Sequence, residues 1–153
     1  MLARCYNKKN YFYVHSVRRC VIGTRVQRST KTEAARQGLG RTGERLAAEE
    51  LTRQGYSILE RNFRCLHGEI DLIAVDGEDL VFVEVKTRRG TAYGLPEEAV
   101  TARKQQKLIQ VATYYLDQQK CMERAWRIDV VAVQLSSYGK LEEIRVYQHA
   151  VSV

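Results

Sequence analysis

Three acids and one amine near the middle of the chain have the types and spacing to do chemistry: Glu69, Asp71, Glu84 and Lys86. Glu69 and Asp71 are two positions apart, as are Glu84 and Lys86, and on a β-strand such pairs share a face. If the two pairs lie on neighbouring strands, their acids meet. Facing carboxylates repel each other unless something cationic sits between them. Hard oxygen donors of this kind suit Mg2+ or Mn2+. A cation held by Asp71 and Glu84 would make a bound water more acidic and offset charge on a phosphodiester oxygen. Lys86 would orient that water or stabilise the developing negative charge. The competing reading is a plain Glu84–Lys86 ion pair at a sheet end.

The elements that must position these residues follow from the apolar pattern. Glu69–Val75 and Leu80–Lys86 are β-type runs, separated by the turn-forming cluster Asp76-Gly77-Glu78-Asp79. In the second run Leu80, Phe82, Glu84 and Lys86 share one face and Val81, Val83 and Val85 the other. Both faces begin apolar, which predicts a central strand covered on both sides. A loop at 76–79 pairs Val75 with Leu80, Ile73 with Phe82, Asp71 with Glu84, and Glu69 with Lys86. A loop at 76–77 shifts the pairs but keeps the same residues on the same face. A loop at 76–78 would set Asp71 beside Val83, among apolar side chains, which disfavours it. The acid on the partner strand and the two-sided burial favour a chemical site over a plain ion pair.

Around this hairpin, Gly40-Arg41-Thr42-Gly43 reads as a turn and Glu44 to Gln54 as a helix. Leu46, Ala47 and Leu51 form its apolar face, and Gly55 ends it. Tyr56–Arg64 reads as a strand. Pro96 stands where a helix could begin, with Glu97 and Glu98 near its positive end. A longer helix covers about Thr101–Gln118, with Leu108, Val111, Ala112, Tyr115 and Leu116 as its stripe. Arg127–Leu135 and Leu141–Tyr147 are two further strands. The order is helix, three strands, helix, two strands: an α/β fold with a mixed β-sheet flanked by α-helices.

The 153 residues fit one domain. Runs of strongly apolar residues such as Leu72–Val75 are four long, whereas a membrane span needs about twenty and a secretory signal about seven to fifteen. No membrane partner is expected. Cys5, Cys20, Cys65 and Cys121, like His15, His67 and His149, lack zinc-ligand spacing. Free thiols and a reducing, cytoplasmic setting are the expectation. The charge of +7 is local: residues 1–36 carry nine Lys/Arg against Glu33 alone, and the remainder is net −1. Residues 1–37 thus read as a basic extension, 38–149 as the folded domain and 150–153 as its C-terminal end. Such an extension can neutralise phosphates without reading sequence, or act as a targeting segment or an upstream extension from a misplaced start. Tyr11-Phe12-Tyr13-Val14 within it could form a short strand.

Gly68-Glu69-Ile70-Asp71-Leu72-Ile73-Ala74, followed by Leu80-Val81-Phe82-Val83-Glu84-Val85-Lys86-Thr87-Arg88, resembles the YraN-like family of bacterial proteins. Gly40-x-x-Gly43-Glu44, Gly55-Tyr56, Arg61-Asn62-Phe63-Arg64, Ala99-Val100 and Arg127-x-Asp129-Val130-Val131 match the same pattern, over about residues 38–149. That family looks like a branch of the PD-(D/E)XK, restriction-endonuclease-like nucleases, and its arrangement is similar to that of archaeal Holliday-junction resolvases. The resemblance implies Asp71 and Glu84 as metal ligands, Lys86 as the catalytic lysine, and Glu44 as a helix-borne acid completing the site. Glu44 would also suit a helix's first turn for its dipole alone. Ile70 replaces the motif's usual proline. Gln110-x-x-x-Tyr114 is similar to a motif on the later helix of some members, and Asp129 is a further acid near the site or a strand-end residue.

The expected activity is Mg2+- or Mn2+-dependent hydrolysis of phosphodiester bonds, in DNA rather than RNA, with branched or structured DNA as one candidate. Arg88, Arg89, Lys104 and Lys107 are the expected nucleic-acid contacts, and the loop Thr87–Leu95 could cover a substrate groove. One alternative is a nucleic-acid-binding module that keeps the fold without cleaving. Another is an interaction protein whose charged cluster is an ion-pair network. A homodimer is one candidate assembly, which the sequence alone does not fix.

Overall fold

The computed structural model describes residues 31–90 and 101–151. The expected strand at Tyr11–Val14 and the helix start at Pro96, with Glu97 and Glu98, lie outside these, as does the loop beyond Gly90. The described elements are α1 (Lys31–Arg53), β1 (Ser57–Cys65), β2 (Gly68–Asp76), β3 (Asp79–Arg89), α2 (Ala102–Gln118), β4 (Trp126–Leu135) and β5 (Leu141–Val151). They form a five-stranded sheet in the order β1-β2-β3-β4-β5. All neighbours are antiparallel except β3 and β4, which are parallel. A parallel pair needs a crossover, and α2 supplies it.

Each helix covers one face. Leu108, Val111, Ala112, Tyr115 and Leu116 of α2 pack with Ile73, Leu80, Phe82, Ile128 and Val130. These five are the stripe expected from their spacing, and all are buried. Ala47, Ala48 and Leu51 of α1 pack with Leu72, Ala74, Val81, Val83, Val131 and Val133. β3 is therefore covered on both sides, as its two apolar faces require.

The largest departure from expectation is at Gly40-Arg41-Thr42-Gly43, which is no turn. α1 runs through it, and the Thr42 hydroxyl bonds to the Gly38 carbonyl at 3.0 Å, as within a helix. The glycine at position 43 serves close packing instead. A Cβ there would overlap the Thr87 hydroxyl and come within 2.8 Å of the Thr87 Cβ. Only hydrogen at this position lets α1 rest against the end of β3. Gly55 does end the helix as expected, at φ +98. Its N–H bonds to the Thr52 carbonyl and that of Tyr56 to the Leu51 carbonyl, each at 3.0 Å, closing the last turn in a Schellman pattern.

The hairpin register follows the Val75–Leu80 alignment, with Asp76 opposite Asp79 and a two-residue turn in which Gly77 has φ +60. β5 runs past the expected Tyr147 to Val151, which is buried and pairs with Ile128. At the hairpin end, Arg127 is buried and bonds to Asp129, Asp79, Asp76 and the Tyr56 hydroxyl. Asp129 is wholly buried and also accepts the His149 N–H. Its place is in this network and not among the site acids.

Gly43→Ala is expected to destabilise the domain by about 1–3 kcal/mol, the usual cost of overpacking. Pairing it with Thr87→Gly should recover much of the loss, because the second change removes the obstructing atoms. Urea unfolding of both variants and the double variant checks this, and no recovery would show that α1 is set by other contacts.

Candidate active site

The paired strands β2 and β3 do not run together to their ends. Their ladder covers Leu72↔Val83 to Asp76↔Asp79 and stops there. Beyond it β2 stays with β1 as far as Gly68↔Cys65, while β3 stays with β4 as far as Arg89↔Leu135. The sheet therefore forks. The expected backbone pairs Asp71–Glu84 and Glu69–Lys86 do not form. Instead the Asp71 carboxylate reaches across and accepts the Val85 N–H at 2.7 Å.

Asn62 lies across from Asp71, between the pairs Arg61↔Leu72 and Phe63↔Ile70, and has φ 55. A left-handed residue within a strand breaks alternation, and asparagine tolerates it better than most. On β2 the alternation is also broken: Ile70 and Ile73, three apart, both join the core on the α2 side, and the Asp71 carboxylate between them reaches β3. Sequence reasoning placed Asn62 in a strand and in the motif Arg61-Asn62-Phe63-Arg64 but not in this conformation, since local pattern does not distinguish one left-handed residue from an extended one.

A cleft of about 340 Å³ fills the fork, lined by Arg36, Leu39, Gly40, Glu44, Glu69, Asp71, Glu84, Val85, Lys86, Thr87 and Lys104. Asp71, Glu84, Lys86 and Glu44 are thus brought together. Glu84 is 4% exposed. Lys86 donates to its Oε1 at 2.6 Å, and the Lys104 Nζ stands 3.0 Å from its Oε2. The second approach is an ion pair without hydrogen-bond geometry, since Oε2 has no hydrogen-bond partner among the described residues. Burial, then the charge of Glu84, push the Asp71 carboxyl up to about 6; the Val85 N–H and Lys104 act the other way, and Glu44 adds to the rise.

Lys104, expected as an exposed DNA contact, belongs to the cleft. Glu69 lines it too, and also pairs with Arg64 at 3.2 Å. Arg88, Arg89 and Lys107 do not line it, and Lys107 and Arg89 are exposed. Gln110 and Tyr114 lie outside the lining, and the Tyr114 hydroxyl instead accepts from Gln118 at 2.8 Å. Arg36, Leu39, Gly40 and Val85 are lining residues that sequence reasoning did not assign to the site; Thr87, expected to open a groove-covering loop, instead lies in β3 and lines the cleft as well. The first three were missed because α1 was expected to begin at Glu44.

As placed, no three His, Cys, Asp or Glu side chains among the described residues form a ready metal cage. The donor chemistry nonetheless fits a hard divalent cation. A buried carboxylate has one oxygen without a hydrogen bond, and a second carboxylate nearby is destabilised by its charge. Two lysine ammonium groups now balance Glu84. Among the described residues, Cys65 and Cys121 form no disulfide. No helix among the described residues is long and apolar enough to cross a membrane.

A profile of the uncharacterised protein family UPF0102 matches residues 43–133. A UPF0102 protein of Caldicellulosiruptor saccharolyticus is 46% identical over 112 residues, covering 73% of this chain and 95% of that one. One of Symbiobacterium thermophilum is 52% identical over 112 residues, covering 73% and 94%. Among solved structures, Pyrococcus furiosus SfsA in complex with Ca2+ aligns at TM-score 0.36 and 15% identity, over 77% of this chain and 65% of that one. That likeness is too slight to bear on fold or function.

Asp71→Asn should stabilise the metal-free protein near neutral pH. The folded-state pKa of Asp71 is raised from 3.8 to about 6, so its ionisation costs stability increasingly from about pH 4 to pH 6 and fully above. A shift of this size corresponds to about 3 kcal/mol at most. Asparagine keeps an acceptor for the Val85 N–H while removing the charge. The gain should be present at pH 7.5 and absent at pH 4 in urea unfolding with EDTA; a gain equal at both would show that the charge is not its source.

Proposed function

The chain belongs to the uncharacterised protein family UPF0102, and from its cleft we propose that it is a metal-dependent nuclease hydrolysing phosphodiester bonds in DNA. The observation that carries this reading is the Glu84 carboxylate, buried beside a second acid, with Lys86 on one oxygen and no hydrogen bond to the other. A buried charge with an unsatisfied oxygen is costly to keep for structure alone. The cost is understandable if the oxygen serves a ligand.

Asp71 and Glu84 would hold Mg2+ or Mn2+, with Glu44 adding charge from α1. The cation would supply Lewis acidity, offsetting charge on the phosphodiester and making the attacking water more acidic. The water gives up a proton to solvent as its oxygen bonds to phosphorus, the bond to the leaving oxygen breaks, and that oxygen takes up a proton from solvent. Lys86, tethered to Glu84 at 2.6 Å, is the group that places positive charge where the pentavalent phosphorane becomes more negative. Asp71, fastened by the Val85 N–H, does not have to reorganise during the step. The basic residues 1–36 suit a polyanion and would raise affinity for any phosphate backbone.

One observation favours a second reading, a nucleic-acid-binding module without cleavage. Both oxygens of Glu84 already face lysines, and no three-acid cage stands ready among the described residues.

A panel of linear, single-stranded, flapped and four-way-junction DNA, with matching RNA, separates the two. In Mg2+ or Mn2+ the full chain should cut at least one substrate, and EDTA should stop it. Lys86→Ala should lower single-turnover cleavage about a hundredfold or more, with binding changed only a few-fold. Binding without cutting anywhere in the panel would establish the second reading.

A further inference from the structure

Lys104 comes to Glu84 from a different element than Lys86. Lys86 lies two residues along the same strand. Lys104 sits in the first turn of α2, where its backbone N–H bonds to the Thr101 hydroxyl at 3.3 Å. From that fixed point its ammonium spans to Glu84 Oε2 at 3.0 Å, with its side chain 31% exposed.

The two ammonium groups hold Glu84 differently. Lys86 donates a hydrogen bond to Oε1. Lys104 neutralises charge at Oε2 but leaves that oxygen without a hydrogen bond. The contact is close enough to offset a buried charge and too poorly aligned to be the better alternative once a cation arrives. A lysine ammonium is a compact point charge on a flexible stem, and part of this one already meets solvent at the cleft. A divalent cation on the Asp71–Glu84 pair would take Oε2 and repel the like charge beside it.

We infer that Lys104 is an exchangeable counter-ion: it neutralises Glu84 in the metal-free protein and, displaced by a divalent cation, turns to a phosphate of bound nucleic acid. The inference rests on the reading of this cleft as a cation-dependent phosphodiester site. It makes cation loading and nucleic-acid binding mutually reinforcing. Metal releases the ammonium that phosphate needs, and phosphate removes the ammonium that competes with metal. The coupling is reciprocal by linkage.

Mn2+ affinity of the full-length protein, measured by calorimetry without nucleic acid, is the direct test. Lys104→Gln should bind Mn2+ about tenfold tighter than wild type, because one like charge beside the cation is gone. Lys104→Arg, which keeps the charge, should stay near wild type. Lys120→Gln, beyond the far end of α2, should leave the affinity unchanged and controls for net charge. A labelled phosphorothioate duplex, which resists cutting, reads the second half. Mn2+ should raise its affinity for wild type, and most of that rise should be missing in Lys104→Gln. Thermal melting in EDTA confirms that each variant is folded. Equal Mn2+ affinity in wild type and Lys104→Gln overturns the inference and leaves the reading of the cleft standing. Tighter Mn2+ with an undiminished rise in duplex affinity overturns the turn to phosphate. Wild-type protein that binds no Mn2+ overturns the reading of the cleft and the inference together.

Discussion

The hydrogen bond from the Val85 N–H to the Asp71 carboxylate closes the point where the central sheet divides. A buried strand whose backbone groups lose their partners is costly unless something replaces them. Here β2 leaves β3 after Leu72, and an acid supplies the acceptor that the strand withdraws. The bond therefore has two effects at once. It ends the ladder without an orphaned N–H at Val85, and it fixes one carboxylate in the gap that the division opens. The cleft, the facing of Asp71 and Glu84, and access from both helix layers all depend on it.

A fork in a covered sheet gives access that a flat sheet denies. On an unbroken β3, Glu84 would meet only residues from the α2 side, where Phe82 and Leu80 are buried. With the strands parted, α1 brings Glu44 from one layer and α2 brings Lys104 from the other into a single cleft. The close contact of Gly43 with Thr87 sets the depth of α1 over the end of β3, one residue before Glu44. The cost of burying Glu84 is offset by two lysines that can themselves act on a polyanion.

The opposite end of the hairpin is closed as firmly as this end is open. Arg127 on β4 binds Asp76 and Asp79 on either side of the turn, and Asp129 and Tyr56 beneath it. A guanidinium offers several donors in a fixed plane, so one side chain can join three strands and Tyr56, three residues past the end of α1. Parting of β2 and β3 is thus confined to the cleft end, and the acids there keep their separation from the apolar core.

Residues on a regular period could be placed from the chain alone. The α2 stripe, the two apolar faces of β3 and the Gly55 stop follow from local geometry, because burial repeats with the period of the element. The even hairpin parity likewise put Glu84 and Lys86 on one face and Asp71 on the strand beside them. Tertiary structure decided what depends on contacts between distant segments. Gly40-Arg41-Thr42-Gly43 has the composition of a turn, yet α1 passes through it because packing on Thr87 needs a residue without a side chain. Lys104 has the look of a surface charge until α2 is docked and its ammonium meets Glu84. Asn62 has the look of an extended strand residue, yet its backbone in the packed sheet is left-handed. Local propensity sums over neighbours in sequence, whereas these three roles come from neighbours in space, and only the packed sheet brings those neighbours together.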